Sequence, residues 1–345
     1  MRKFSIRKLD LSSYNVHFLP KYRIWFAVPV VVLLIAIIVF SVFSVVNKDV
    51  QEGMNLGIDF TGGTVMTVTV GNALEEDGAF TSYSNKLRDI VEDAGYNVSY
   101  VQKTGKGSEA GVMLKYQNKD ADLETSNQLM KDKINEAYPA IPADDISLES
   151  ISASSANDLL EKAFISLAVI FVVMLLYIAI RFELWSGISA LIGLIHDVLM
   201  MIAFTIIFHI EVNTTYVAAV ITIVAYSINN TIIVFDRVRE TTKLAPKTGK
   251  INLDHYVEEA VNDTFTRSSV STITTMIPVF LLGCFGVLSL KQFAWPIMFG
   301  LIAGTYSSLI LAPTVYYMIR TAINNRRIKK AQLPPKSVTQ RRRRA

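Results

Sequence analysis

The chain has 345 residues, of which 51% are hydrophobic and only 19% charged, against about 25% charged in an average soluble domain. The deficit is concentrated in six apolar runs of 18 residues or more, which excludes a soluble globular protein. The formal net charge is a modest +4, but the charges are segregated along the chain.

A basic segment, residues 1–23, precedes the first span, 24–46. This run is too long for a signal-peptide core and no A-x-A site follows it, so it reads as a retained signal anchor. Next comes an insert, 47–158, with nine basic and nineteen acidic residues. Residues 57–70 are rich in Val and Thr and read as a strand, with Gly62 and Gly63 marking a bend or bulge near its start. Residues 81–95 place Tyr83, Leu87, Ile90 and Val91 at helical spacing. Residues 97–104 and 109–117 read as a hairpin. Residues 121–138 form a second helix, ended by Pro139 and Pro142, and 145–152 alternate as a last strand. The order β-α-β-β-α-β predicts a ferredoxin-like α+β domain.

Five further spans follow, at 163–180, 186–210, 214–235, 268–290 and 293–319. The expected architecture is therefore an α-helical polytopic membrane protein with six transmembrane helices and the α+β domain between spans 1 and 2. Within the link 236–267, Leu253, Tyr256, Val257, Ala260, Val261 and Phe265 share a face. That pattern fits an amphipathic helix lying at the membrane surface or on the bundle, or an ordinary packed loop helix.

Lys and Arg set the orientation. The N-terminal segment, the 181 link, the 236–267 link and the tail 320–345 together hold 23 of the 34 basic residues. The positive-inside rule places these segments and both termini in the cytoplasm, and the insert on the exported side. The tail clusters at 326–330 and 341–344 would attract anionic lipid. The tail has no aromatic residue for base stacking, so no nucleic acid is expected.

Ionisable residues inside a span are expensive and mark functional candidates. His196 and Asp197 sit near the middle of the third span. For Asp197 three readings stand: a proton carrier, a structural partner of His196 or Arg267, or a bystander in a wet vestibule. Tyr226, Ser227, Asn229 and Asn230 form a polar cluster in the fourth span, followed by Asp236, Arg237 and Arg239. The amides fit interhelical glue, and the arginines fit snorkelling anchors at the helix end. Arg267 opens the fifth span beside a run of Ser and Thr. The single Cys284 and the lack of converging ligands give no metal site, and no cofactor is expected. No phosphate-binding or nucleophile motif appears, so the chain does not read as an enzyme.

Three stretches taken together resemble the SecF subunits of the bacterial Sec protein translocase. They are Gly57-Ile58-Asp59-Phe60-Thr61-Gly62-Gly63, His196-Asp197, and the run from Tyr226 to Glu240, YSINNTIIVFDRVRE. The resemblance implies an RND-superfamily protein of the bacterial inner membrane. Its implied partners are SecD, the SecYEG channel, a translocating preprotein and, indirectly, the ATPase SecA. It also implies use of the proton-motive force to draw preproteins outward. Where the family carries an aspartate this chain has Asn230, so Arg267 lacks its implied counter-ion. The rival readings are half of an RND-type exporter and an uncoupled scaffold for SecD. Asp59, Gly62 and Gly63 read as shaping the first strand rather than touching preprotein.

Overall fold

The computed structural model describes residues 17–46, 53–118, 122–244 and 252–331. Arg2, Lys3, Arg7, Lys8, Lys247, Lys250 and the tail beyond 331, with its RRRR cluster, lie outside the described residues. Among the described residues, six helical spans are long and apolar enough to cross a membrane. The first is α1 (Tyr22–Val46), whose large apolar side chains face outward.

The small domain follows as α2 (Ile58–Thr61), β1 (Gly63–Thr69), α3 (Ala79–Asp93), β2 (Val98–Thr104), β3 (Gly111–Tyr116), α4 (Leu123–Ala137) and β4 (Ile146–Ile151). The sheet order is β2-β3-β1-β4 with every neighbouring pair antiparallel. This is the ferredoxin-like arrangement expected from the element order. Met66 and Val68 of β1 meet Val112 and Leu114 of β3, Leu87 and Val91 of α3, and Met130 and Ile134 of α4 in one closed core. Burial pushes the Tyr116 phenol above its usual range.

One boundary differs in kind. Residues 58–61, expected in the first strand, form the short helix α2. Extended Gly57 starts it, and Gly62 at φ 72° ends it. Gly63 has φ +132°, and a Cβ there would lie 2.7 Å from the Tyr116 carbonyl. The glycine pair thus turns the chain from helix to strand where no side chain fits.

The remaining spans are α5 (Ala153–Arg181), α6 (Leu184–Ile207), α7 (Thr214–Leu244), α8 (Leu253–Phe285), and a sixth built from α9 (Leu288–Tyr306), a π-helical turn (Ser307–Leu311) and α10 (Ala312–Ala331). Two helices start well before their apolar runs. α5 is capped by Ser152, whose Oγ accepts from the Ser155 N–H at 3.1 Å. Its first turns pack Leu159, Leu160 and Ala163 against a core of Phe60, Val212 and Tyr216. The amphipathic segment of the link is the first part of α8, continuous with the fifth span. Val257, Ala260 and Val261 are buried against Val234, Phe235 and Val238 of α7 and against Phe18 and Leu19. The apolar face is thus packed on the bundle. At its other end α8 stops at Phe285, where the Gly286 N–H returns to the Leu282 carbonyl at 2.9 Å.

Gly63→Ala is expected to cost about 1–3 kcal/mol of local stability. Hydrogen exchange on the full-length protein should show faster exchange in β1 and β3 and little change in α7. A second prediction concerns pH. The Asp122 carboxylate caps α4 by accepting from Thr125 N at 3.2 Å and Thr125 Oγ1 at 2.6 Å. These bonds hold its pKa below the usual value. A depressed folded pKa gives stability that is present above the ordinary carboxylate range and lost as pH falls through the folded value. Protection of α4, corrected for intrinsic exchange, should therefore fall below about pH 4 and lose that dependence in Asp122→Ala.

Candidate functional site

The six-span bundle buries one carboxylate completely. Asp197 of α6 is 0% exposed. Its Oδ1 lies 2.9 Å from His196 Nδ1. Its Oδ2 accepts from the Ser227 hydroxyl of α7 and, at 2.8 Å, from the Ser307 hydroxyl at the start of the π turn. A buried charge needs such partners, because water cannot supply them. Gly304 lies against the contact: a Cβ there would sit 3.6 Å from Oδ2 and 3.4 Å from Ser227 Cβ, ordinary contact distances.

The cluster reaches α1 through its imidazole. The His196 ring packs against Tyr306 with centroids 5.7 Å apart. The Tyr306 hydroxyl donates to the Trp25 carbonyl of α1. His196 Nε2 is buried without a hydrogen-bond partner among the described residues. A carboxyl and an imidazole in contact can hold a proton between them, or take up a second one at a nitrogen.

The other candidates divide. Tyr226 OH donates to Thr272 Oγ1 of α8 at 3.3 Å, and Thr272 pairs with Thr305 at 2.8 Å. One turn farther along both antiparallel helices come Asn230 and Ser268. Both are buried, and the Asn230 Nδ2 and Ser268 Oγ atoms have no partner among the described residues. Asn229 and Arg267 are exposed. Arg267 makes no ion pair among the described residues, so the structure pairs Asp197 with His196 and not with Arg267. Asp236 and Arg237 are also not free anchors. Asp236 pairs with Arg181 at 2.8 Å, and Arg237 pairs with Asp263 at 2.6 Å and Glu240 at 2.7 Å.

The glycine motif builds a second site, the junction between domain and bundle. Asp59 Oδ2 accepts from the Thr214 N–H at 2.8 Å and the Thr214 hydroxyl at 2.6 Å, so α2 caps the first turn of α7. Gly57 N–H donates to the Val212 carbonyl at 2.8 Å. A Cβ at Gly57 would meet Glu211 Oε1 at 2.7 Å. Phe60 is buried in the bundle core. Asp59 and Gly57 therefore do more than shape a strand.

Lys115 of β3 forms an ion pair with Glu211, with side chains 12% and 13% exposed. Gln292 of α9 donates to Glu211 Oε2 at 2.5 Å and accepts from Asn213 Nδ2 at 2.9 Å. Beside this network lies a cavity of about 170 Å³, lined in part by Asn55, His209 and Lys291.

Ser307, Lys115, Glu211 and Gln292 were not among the sequence candidates. The adjacent Ser307-Ser308 pair after Gly304, in an apolar run, is the only local signal for the first. Lys115→Met and Glu211→Gln should each destabilise the junction. The double variant should cost less than their sum, with a coupling of about 1–3 kcal/mol. Thermal unfolding of all four proteins measures it, and simple additivity would show that the pair contributes nothing.

Among protein-family models, "Protein export membrane protein SecD/SecF, C-terminal" matches residues 130–322, and "SecD/SecF GG Motif" matches residues 51–73. A protein translocase subunit SecF from Calditerrivibrio nitroreducens is 32% identical over 314 residues, covering 91% of this chain and 97% of the relative. One from Sebaldella termitidis is 34% identical over 284 residues, covering 82% and 86%. In shape, the chain is similar to the crystal structure of SecDF, a translocon-associated membrane protein from Thermus thermophilus, with TM-score 0.72, 23% identity and 90% of this chain covered. It also matches SecDF in a super-membrane-facing form, with TM-score 0.56 and 22% identity. This chain spans 39% and 40% of those two longer chains. A helix-capping glycine motif and a carboxylate-bearing bundle thus occur together in a multi-pass membrane protein that belongs to the SecD/SecF family, alongside its SecF subunits.

Proposed function

We propose that this chain is the SecF subunit of a bacterial Sec protein translocase. It acts with SecD beside the SecYEG channel, drawing preproteins outward after SecA has driven their insertion, and it uses the proton-motive force. In this reading the chain sits in the inner membrane with both termini cytoplasmic and the small domain exported. It performs no enzymatic reaction. The positive-inside distribution supports the orientation. Family membership supports the SecD partnership.

One observation carries the proton coupling: a fully buried carboxylate at mid-bundle, hydrogen-bonded to three side chains on α6, α7 and the π turn. Protonation of Asp197 removes a charge that these donors stabilise, and weakens their hold on two neighbouring helices. His196 is placed to share that proton. The residues of the glycine motif then serve to fix the domain to α7, whose middle carries Ser227. Charge loss at one point and domain orientation at another act on the same helix.

A second reading, a scaffold without coupling, is favoured by Asn230. Its position carries no titrating group, and the nearby Arg267 faces outward. The two readings separate in inverted membrane vesicles containing this protein and its SecD, assayed for completion of preprotein translocation with and without a proton gradient. Proton coupling through Asp197 predicts that Asp197→Asn removes most of the gradient-dependent stimulation, at least tenfold, while assembly with SecD is unchanged. An unaltered stimulation would remove Asp197 from the mechanism. Stimulation dependent on SecD and this chain that appears only in Asn230→Asp would establish the scaffold reading.

A further inference from the structure

At the end of the bundle opposite the small domain, a cleft of about 390 Å³ opens between α7, α8 and α10. Arg239, Lys243 and Arg320 line it, together with Glu183, Tyr316 and Leu253. Arg320 is partly committed. Its guanidinium lies 3.4 Å from Glu183 Oε1, and its Nε donates to the Tyr316 hydroxyl at 3.3 Å. Arg239 and Lys243 are exposed and make no ion pair among the described residues. One carboxylate therefore faces three cations, leaving a surplus of positive charge over a concave surface.

The neighbouring chain is a poor candidate to fill it. Residues 245–251 carry Lys247 and Lys250 and no acid. The tail 332–345 carries Lys336 and four arginines, also with no acid. Neither segment offers an anion to complement three cations. The apolar surroundings suit a different occupant. Leu253 and Ile323 line the cleft itself, and Leu184, directly after Glu183, is exposed. Cations, a buried tyrosine and apolar side chains thus line one concave surface. Basic pockets of this kind between membrane helices hold the headgroups of anionic lipids.

We propose that this cleft binds the phosphodiester headgroup of an anionic phospholipid. Arg239 and Lys243 supply the uncommitted charge, Arg320 is held in place by Glu183 and Tyr316, and the acyl chains leave the cleft past Leu253 and Ile323. This site is distinct from any contact made by the basic tail, and it does not depend on the proton-coupling reading.

The test is native mass spectrometry of the full-length protein titrated with phosphatidylglycerol, phosphatidylcholine or inorganic phosphate. The wild type should retain phosphatidylglycerol preferentially over phosphatidylcholine. Arg239→Gln with Lys243→Gln should weaken that retention about tenfold or more. The charge-conserving pair Arg239→Lys with Lys243→Arg should keep most of it, and glutamine at all four tail arginines should leave it unchanged. The proposal is overturned if the glutamine pair binds phosphatidylglycerol like wild type, or if only the tail variant loses it. Equal loss in the charge-conserving pair, or inorganic phosphate binding as tightly as the lipid, also overturns it. So does displacement of the lipid by a glutamate-rich peptide at equal concentration.

Discussion

A carboxylate without access to water dictates the local design of this bundle. Asp197 cannot be left alone at 0% exposure, since an uncompensated charge there would drive the helices apart or force the group neutral. Every close neighbour answers that demand. Ser227 and Ser307 turn hydroxyls toward one oxygen, and His196 turns an imidazole nitrogen toward the other. Gly304 of α9 lies against both Ser227 and the carboxylate. The π turn begins at Ser307, the residue that donates, and π turns recur where a helix must aim a side chain at a site. Tyr306, one residue earlier, packs on His196 and bonds to the α1 backbone. Four spans are thus referred to a single group.

The junction solves a different problem with the same helix. The first turn of α7 presents backbone N–H groups that need acceptors. The Asp59 carboxylate from α2 and the Asn213 side chain supply them, the latter accepting from Tyr216 N at 3.1 Å. The cap belongs to the small domain's entry segment, so the domain's position is tied to the start of α7. Ser227 stands thirteen residues on, about 20 Å along a continuous helix. One continuous helix thus carries both the domain contact and a donor to the buried carboxylate. The Lys115–Glu211 pair adds a second tie, from the interior strand β3 of the sheet.

Apolar runs and β-α alternation are local patterns, and so the six spans and the ferredoxin-like order were legible before any coordinates. Asp197 was legible for the same reason, as a charge interrupting an apolar run. What stayed hidden needed partners distant in the chain. Lys115 and Glu211 look like ordinary surface charges until the sheet meets the segment between α6 and α7. Ser307 looks like common helix glue until a carboxylate faces it. Arg237 reads as a snorkelling anchor at the end of a span, because nothing local shows that α8 extends back far enough to bring Asp263 beside it. The short helix α2 was lost within a strand reading because four residues are too few to show a period of 3.6. The amphipathic stripe at 253–265 was correctly seen, but periodicity shows only that a face is apolar and not what covers it.

The amide at position 230 and the outward arginine at 267 follow from one another. Tyr226 meets Thr272 across α7 and α8, so residue 230 faces residue 268, one position beyond Arg267. An aspartate at 230 would be a second buried carboxylate, and its desolvation would call for a cation from the facing helix. Asparagine makes no such demand. Its burial leaves an unpartnered amide nitrogen beside an unpartnered serine hydroxyl, and misses at most a hydrogen bond or two rather than a charge. Without an anion to meet, the Arg267 guanidinium gains more from solvent or lipid headgroups than from the bundle interior. Around residue 230 the α7–α8 seam is therefore lined by neutral groups, and charge crosses it only nearer the end of α7, where Arg237 pairs with Asp263 among the described residues.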